Sequence, residues 1–406
     1  MSKHLIIIGG GAAGFFCAAN ARHPNIRVTI LEKTNKLLSK VKVSGGGRCN
    51  VTNGNYVHIQ DFAAAYPRGK NLLKKTLYQF SFQDTINWFE SRGVALKTEA
   101  DGRIFPKSDS SQSIIDCLMT ACEENQVAIH TGTQVLSVEQ EDDRYTLYTN
   151  SGIFHADFIC LATGGYPKED QYRWIQDFGL KIESPVPSLF TFNLPGHPIT
   201  QLMGVSVPHA QIKVQGEKLN ASGPLLVTHW GLSGPCVLRL SAWGARLLAD
   251  KKWNFKILIN WLGDTPEEKL RADFPAVKSY QGNKILQHKN PFGLPARLWE
   301  FLIDDSGIDP YQHWSALSSR NQNRLIAQLT QYECQVQGKT TFKEEFVTAG
   351  GIRLSSVQAQ TLQYRDFPGL FILGEALDVD GITGGFNFQN AWTSAYIAAR
   401  QIVSMV

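Results

Sequence analysis

Long hydrophobic runs, blocks of like charge and metal-binding or hydrolytic signatures are all missing from this chain. No apolar stretch reaches the roughly 18 residues that a membrane span requires, so no membrane partner is expected. The formal charge of +4 is spread over 406 residues, without a block of about five or six like charges, which argues against a nucleic-acid partner and a polybasic membrane patch. Neither H-E-x-x-H, nor a Ser-His-Asp pattern, nor a Walker loop can be read, and no metal site is expected. Cysteine is sparse, with seven residues at Cys17, Cys49, Cys117, Cys122, Cys160, Cys236 and Cys334. An odd number without C-x-x-C or zinc-type spacing reads as free thiols in a reducing cytoplasm. What remains is ordinary globular material, 43% hydrophobic and 19% charged, with 35 glycines and 17 prolines. A length beyond the ~100–200 residues of one domain predicts two or three. The amino-terminal "LIIIGGGAAGFFCAANA" mimics a secretory leader, but its three consecutive glycines weaken the helix that a leader needs.

Residues 4–8, "HLIII", are an apolar β-branched run of the kind buried in a parallel sheet, and "GGGAAG" then opens a helix reaching Ala21. "RVTILEK" supplies the next strand, so residues 4–33 make one βαβ unit. The following "KLLSKVKVSGGGRCNVTNG" is too rich in glycine and asparagine for regular structure and reads as a functional loop. Amphipathic helices are expected around 71–92 and 111–125, and strands in "VAIHTGTQVLSVEQ", "RYTLYTN" and "ADFICLATGG". Prolines in "SPVPSLFTFNLPGHP" mark a boundary near residue 185, after which 199–262 alternates in the β manner. From about 264 to 335 the pattern is charged and helical, with "TPEEKLRADF" opening it as a capping box. "GLFILGE" restores an apolar strand, and "TGGFNFQNAWTSAYIAARQIV" gives a last helix behind glycines.

Gly9, Gly11 and Gly14 satisfy G-x-G-x-x-G between a strand and a helix, and Glu32 ends the second strand 23 residues after Gly9. Each has a physical task in holding a dinucleotide: Gly9 permits the tight turn, Gly11 lets backbone N–H groups approach a pyrophosphate, and Gly14 allows close helix–strand packing. The helix N-terminus attracts the phosphate charge, and Glu32 accepts from ribose hydroxyls, which disfavours a 2′-phosphate. The fingerprint alone does not separate FAD from NAD. The carboxyl-terminal "GLFILGEALDVDGITGG" does, because Thr383, Gly384, Gly385, Phe386 and Asn387 occupy the start of a helix whose N–H groups and dipole suit the negative charge of a reduced flavin ring. A glycine-rich loop that merely caps a helix is the other reading of that segment. In "SGGGRCNVTN", Arg48 is a candidate phosphate ligand, and Cys49 is the one candidate for a redox thiol, packing being its alternative role. "LATGG" (Leu161–Gly165) ends a strand beneath the same pyrophosphate or simply leaves the sheet. His229 in "VTHWGLSGP" is either functional or a packed core histidine.

With these segments together, the sequence resembles the BaiN/YhiN-like family of bacterial NAD(P)/FAD-dependent oxidoreductases, also described as aminoacetone oxidase-like flavoproteins. The likeness runs through "GGGAAG", "KVSGGGRCNVTN", "GRIFPKSD", "LATGG", "THWGLSGPCVLRLS", "FVTAGGIRL" and "GEALDVDGITGGFNFQNAW", in that order. It implies an α/β fold: a discontinuous Rossmann-type FAD-binding domain (1–188 and 341–406) with an inserted mainly-β domain (189–263) and a small helical domain (264–340). By the same resemblance Gly11, Ala12, Ala13, Glu32, Lys33, Arg48, Cys49, Asn50, Val135, Thr163, Gly164, Gly374, Glu375, Asp380, Gly385, Phe386 and Asn387 are FAD-site positions. The chain departs from the family where "ATGGYPKEDQYRWIQDFG" replaces a glycine-rich "GSTGDG" stretch, and where "TLQYRDFPG" precedes the last strand. Both departures are expected where a substrate or nicotinamide approaches.

The function expected is that of an FAD-dependent oxidoreductase, carrying hydride from a nicotinamide through FAD N5 to a small-molecule acceptor. No second G-x-G-x-x-G follows another strand, so NAD(P)H is expected only as a transient co-substrate, and an oxidase using molecular oxygen stays open. The alternative from another class is a binding protein in which FAD is structural and the inserted domain recognises a macromolecule such as RNA.

Overall fold

The computed structural model describes residues 2–142, 144–341 and 347–406. The chain divides into two compact units, Met1–Ser188 with Phe342–Val406, and Leu189–Thr341.

In the first unit the βαβ pattern is realised as β1 (Lys3–Ile8), α1 (Ala12–Asn20) and β2 (Ile26–Leu31), to which β3 (Ala128–His130), β4 (Phe158–Leu161) and β5 (Leu370–Ile372) are added. The sheet has the order β5-β4-β1-β2-β3, and every pair is parallel. Strand β1 is flanked on both sides by strands from later in the chain, which makes its carboxyl end the topological switch point where α/β sheets bind ligands. Its Leu5, Ile6 and Ile7 are fully buried, as a strand covered on both faces must be. Helix α1 joins the same core as the final helix α2 (Phe386–Ser404), and Phe16 contacts the ring of Trp392 at 5.1 Å between centroids. The expected helices appear as Lys70–Thr76, Phe82–Glu90 and Gln112–Glu124, and the expected strands beyond β3 as a meander of Val135–Glu141, Arg144–Thr149 and Gly152–Ala156. One local expectation is corrected: part of the segment read as irregular is helical from Ser39, and regular geometry breaks at Ser44, which is extended, and at Gly45 and Gly46, which turn left-handed.

The second unit is built on a seven-stranded sheet in the order Tyr332–Gln337, Asn254–Asn260, Ser206–Val214, Asn220–Thr228, Gly231–Ser233, Thr191–Asn193, Lys339–Thr340. Alternation along Ser206–Val214 buries Val207, Ala210, Ile212 and Val214 on one face. Their core is continuous with Trp299, Trp314 and Leu325 from the helical segment. Helix from 264 onward is found at Glu267–Gln281, Ala296–Asp305 and Ser319–Thr330, but the run stops there, because Tyr332–Gln337 pairs antiparallel with Asn254–Asn260. The capping box at Thr265 is also corrected: Pro266 is the N-cap of the first of these helices and no side chain caps it. Among the described residues no helix is long and apolar enough to cross a membrane, and no group of three His, Cys, Asp or Glu is arranged for a metal.

Candidate cofactor site

The glycine fingerprint forms a close three-way contact at the end of β1. Gly9 has φ +119, and a Cβ built on it would stand 2.3 Å from the Ala162 carbonyl oxygen on the neighbouring strand end. A Cβ on Gly14 would stand 2.0 Å from the Gly9 oxygen, so α1 lies directly on β1 as the fingerprint requires. Gly11 differs from both, because among the described residues nothing lies within 4 Å of the position its Cβ would take. It is the N-cap of α1, and no side chain caps that helix. The first turn of α1 therefore has no cap from its own N-cap residue and a Cβ-free approach at Gly11, the condition for receiving an anion.

Beside this turn lies an open cleft lined by Gly9, Glu32, Lys33, Val135 and Thr163 among others. Glu32 is pinned there: Gly10 N–H donates to its Oε2 at 2.8 Å, and the Thr34 N–H and hydroxyl each donate to its Oε1 at 2.9 Å. A carboxylate accepts about four hydrogen bonds, so Oε2 keeps one lone pair for an incoming hydroxyl. The other wall is formed by Tyr166, Gln171 and Trp174, residues that the sequence reading assigned to the approach of a substrate rather than to this cleft.

The carboxyl-terminal turn is drawn onto the same unit. A Cβ on Gly374 would stand 3.1 Å from that of Ala13, Gly374 N–H donates to Ser394 Oγ at 2.8 Å, and Asn390 Nδ2 donates to the Gly374 oxygen at 3.0 Å. Glu375 accepts from Lys40 Nζ at 2.7 Å and from Thr348 N–H at 2.9 Å. Its Oε2 lies 3.9 Å from the Cβ position of Gly164, while the buried Thr348 hydroxyl oxygen has no partner among the described residues. Gly385, at φ +93, caps α2 without any side-chain bond and lies so close on Thr52 that a Cβ would reach its carbonyl carbon at 2.6 Å. In the orientation that satisfies both neighbours, the Asn50 amide accepts from Gly385 N–H and donates to the Thr52 oxygen, each at 3.0 Å. Asn387 clamps Gly381 at both its N–H and its oxygen, at 2.8 and 3.1 Å. Phe386 turns into a ring cluster with Phe62, Tyr56 and Tyr66. The side chains of Phe386 and Asn387 thus build the turn and leave their backbone N–H groups as its chemical offering.

Arg48 and His229 have different surroundings from those their residue types led us to expect, and Cys49 has the packed surroundings of a structural cysteine. Arg48 is engaged with acids rather than left free for phosphate: its Nη1 lies 2.6 Å from Glu99 and 3.5 Å from Asp109, and its guanidinium stacks over Phe105. Cys49 is fully buried at φ +61, and burial pushes its thiol up to about 12, with only a hydrogen bond to Ser44 opposing it. A thiolate is not the form held there, and packing is the role its surroundings support. His229 is not a packed core histidine, since it is exposed on a turn, edge-on to Trp230.

Asp380 is fully buried and paired at both oxygens with Arg68, while Ser188 Oγ donates to it at 2.7 Å. Burial raises its carboxyl above the ordinary value of 3.8, against the opposing pull of Arg68 and Ser188. Arg68, Lys40, Thr348, Tyr166 and Trp174 are the contributors that sequence reasoning missed. None carries a local motif, and only the departure from "GSTGDG" drew attention to the segment holding the last two.

A central parallel sheet, a glycine turn at its switch point and an acid at the end of the second strand define a Rossmann-type FAD-binding fold. Within that class the chain belongs to the family described as HI0933-like protein Rossmann domain, which matches residues 3–401. It is 32% identical over 408 residues to the ribosomal RNA dihydrouridine synthase of Escherichia coli K12, covering 98% of each chain. To the 3-dehydro-bile acid delta(4,6)-reductase of Clostridium scindens it is 28% identical over 404 residues, covering 97% of each. Among solved structures, the 3-ketosteroid delta1-dehydrogenase of Sterolibacterium denitrificans aligns over 100% of both chains with a TM-score of 0.52 at 13% identity, a likeness of fold.

Proposed function

We propose that this chain is an FAD-dependent reductase of carbon–carbon double bonds conjugated to a carbonyl, with a nicotinamide dinucleotide as electron donor. The observation that carries the flavin part is the combination, in one unit, of two uncapped helix N-termini with a cleft holding a pinned carboxylate. The residues fit the group. Gly9 and Gly14 bring turn and helix together; Gly11, Ala12 and Ala13 offer N–H groups to the pyrophosphate. Glu32 takes a ribose hydroxyl, with Lys33, Val135, Thr163 and Gly164 bordering the adenosine. Behind Gly385, whose own N–H is taken by Asn50, Phe386 and Asn387 offer backbone N–H groups to the electron-rich edge of the ring, and Asn50, Gly374, Glu375 and Asp380 hold that turn in place. Arg48 and Cys49 belong to the supporting loop. When bound, FAD supplies the hydride chemistry, taking electrons from the donor and passing them to an electron-poor carbon.

The acceptor class follows from what the relatives' names share. Forming dihydrouridine saturates a double bond conjugated to a carbonyl of uracil, and a delta(4,6)-reductase of a 3-dehydro-bile acid acts on unsaturation in line with a ketone. One chemistry serves both, and the acceptor is either a small enone or a uracil in RNA. The charge division bears on that choice: Leu189–Thr341 holds sixteen Lys and Arg against eleven Asp and Glu, a net +5, whereas the rest of the chain holds 24 against 25, a net −1. The test is anaerobic titration of the flavin-loaded protein with NADH and NADPH while the visible flavin band is followed. Bleaching by one donor, then recovery on adding an enone such as a 3-keto-4-ene steroid or a uridine-containing RNA, is the expected result. Absence of bleaching with both donors refutes the donor assignment, and recovery with neither acceptor refutes the acceptor class.

A further inference from the structure

The segment where this chain leaves its family's pattern lies in the Glu32 cleft. Tyr166, Gln171 and Trp174 line it together with Glu32, Lys33 and Thr163, and the segment is built to hold that position. Tyr166 is buried, and burial raises its hydroxyl above the ordinary value while Trp174 and Thr163 pull the other way. Tyr172 fixes the same residue from behind: Tyr166 N–H donates to the Tyr172 hydroxyl oxygen at 3.0 Å, and the two rings meet edge-on at 4.9 Å. The Lys33 ammonium lies 4.9 Å from the Tyr166 ring centroid, so the residue after Glu32 is tied to the opposite wall. Ile175, next to Trp174, is buried in the core beneath.

A carboxylate at the end of the second strand marks the ribose of an adenosine, and this wall stands across the cleft from it. We infer that Tyr166–Trp174 is the adenosine-side wall of the cofactor site and sets the preference of this chain for FAD over FMN. The inference rests on the FAD reading above. FMN has no adenosine, so ring surface and polar groups on this wall act on FAD alone. The departure from the family's pattern is then a matter of cofactor retention, and the acceptor is met by other parts of the chain.

The experiment is titration of the flavin-free protein with FAD and with FMN, following flavin fluorescence, for the wild type, Trp174→Ala and Gln171→Ala. Wild type is expected to bind FAD more tightly than FMN, and Trp174→Ala to lose at least about tenfold for FAD and less than about twofold for FMN. Gln171→Ala removes an exposed side chain and is expected to show a smaller loss, again for FAD alone. Should Trp174→Ala fail to fold, Tyr166→Phe combined with Gln171→Ala takes polar groups from the cleft, leaves the rings, and carries the same criterion. Equal losses for both flavins, or no loss for either, overturn the wall. A wild type that binds FMN as tightly as FAD overturns the wall and spares the flavin reading, whereas one that binds neither flavin overturns both.

Discussion

Replacing Glu32 by Ala separates the two tasks that this carboxylate performs. In the free chain it already accepts from Gly10 N–H, Thr34 N–H and the Thr34 hydroxyl, so one lone pair on Oε2 is left for a ribose. The Thr34 hydroxyl also lies 3.2 Å from the Lys36 oxygen, and turning fully to that acceptor frees a second. A hydrogen bond to a charged acceptor contributes about 1.5–3 kcal/mol, so Glu32→Ala should weaken FAD binding by roughly 10- to 150-fold. The same change leaves the buried Gly10 N–H unpaired, at about 1–3 kcal/mol of fold stability, while the exposed Thr34 groups return to water. Binding must therefore be measured by flavin fluorescence at a temperature where circular dichroism shows the flavin-free variant fully folded. Thr34→Ala is the internal control: it removes a competitor for Oε1 and should keep FAD affinity within about threefold of wild type. Retention of wild-type affinity by folded Glu32→Ala would show that the adenosine does not lie against this residue, and the assignment of the cleft would fall with it.

Arg68→Met should destabilise by about 3–5 kcal/mol at neutral pH, because it strands the buried Asp380 carboxylate. Asp380 already titrates above 3.8 with Arg68 beside it, and losing the cation raises it further. A raised carboxyl contributes stability below its unfolded value and loses it as pH rises through the folded one, so the variant's deficit in urea unfolding should grow from acid toward neutral pH. A pH-independent deficit refutes the clamp. Gly385→Ala meets both a left-handed φ and the Thr52 backbone, and thermal unfolding should report a loss of about 2 kcal/mol or more; an unchanged midpoint means the turn is not held as described. Thiol titration of the native protein with Ellman's reagent should give no more than one fast equivalent, from half-buried Cys117, and seven after denaturation. A fast thiol mapped to Cys49 would restore its redox role.

Legibility from sequence followed the range of the interaction. The fingerprint Gly9–Gly14 and Glu32 could be read because turn, helix start and strand end lie within one βαβ unit, where spacing determines geometry. The final helix could be read from its apolar face and its leading glycines. The pairing of Arg48 could not be read for the opposite reason: its partners Glu99 and Asp109 are 51 and 61 positions away, and nothing local distinguishes a guanidinium waiting for phosphate from one already paired. Asp380 was marked by resemblance, but its partner Arg68 lies 312 residues earlier, beyond any periodicity argument. In the same way the helical reading of 264–335 overran its end, because "YECQVQ" is a strand only by virtue of Asn254–Asn260 beside it. The side chains of Phe386 and Asn387 sharpen the point about function. Both are spent on shaping the turn, so on the proposed reading what it has for a flavin is backbone, and backbone donors are placed by neighbours such as Asn50 and Thr52 rather than announced by residue type. A substitution scan of this turn should accordingly find its largest effects at positions that set the path of the chain, Gly385 and Asn387 first, and not at the side chains nearest the ring.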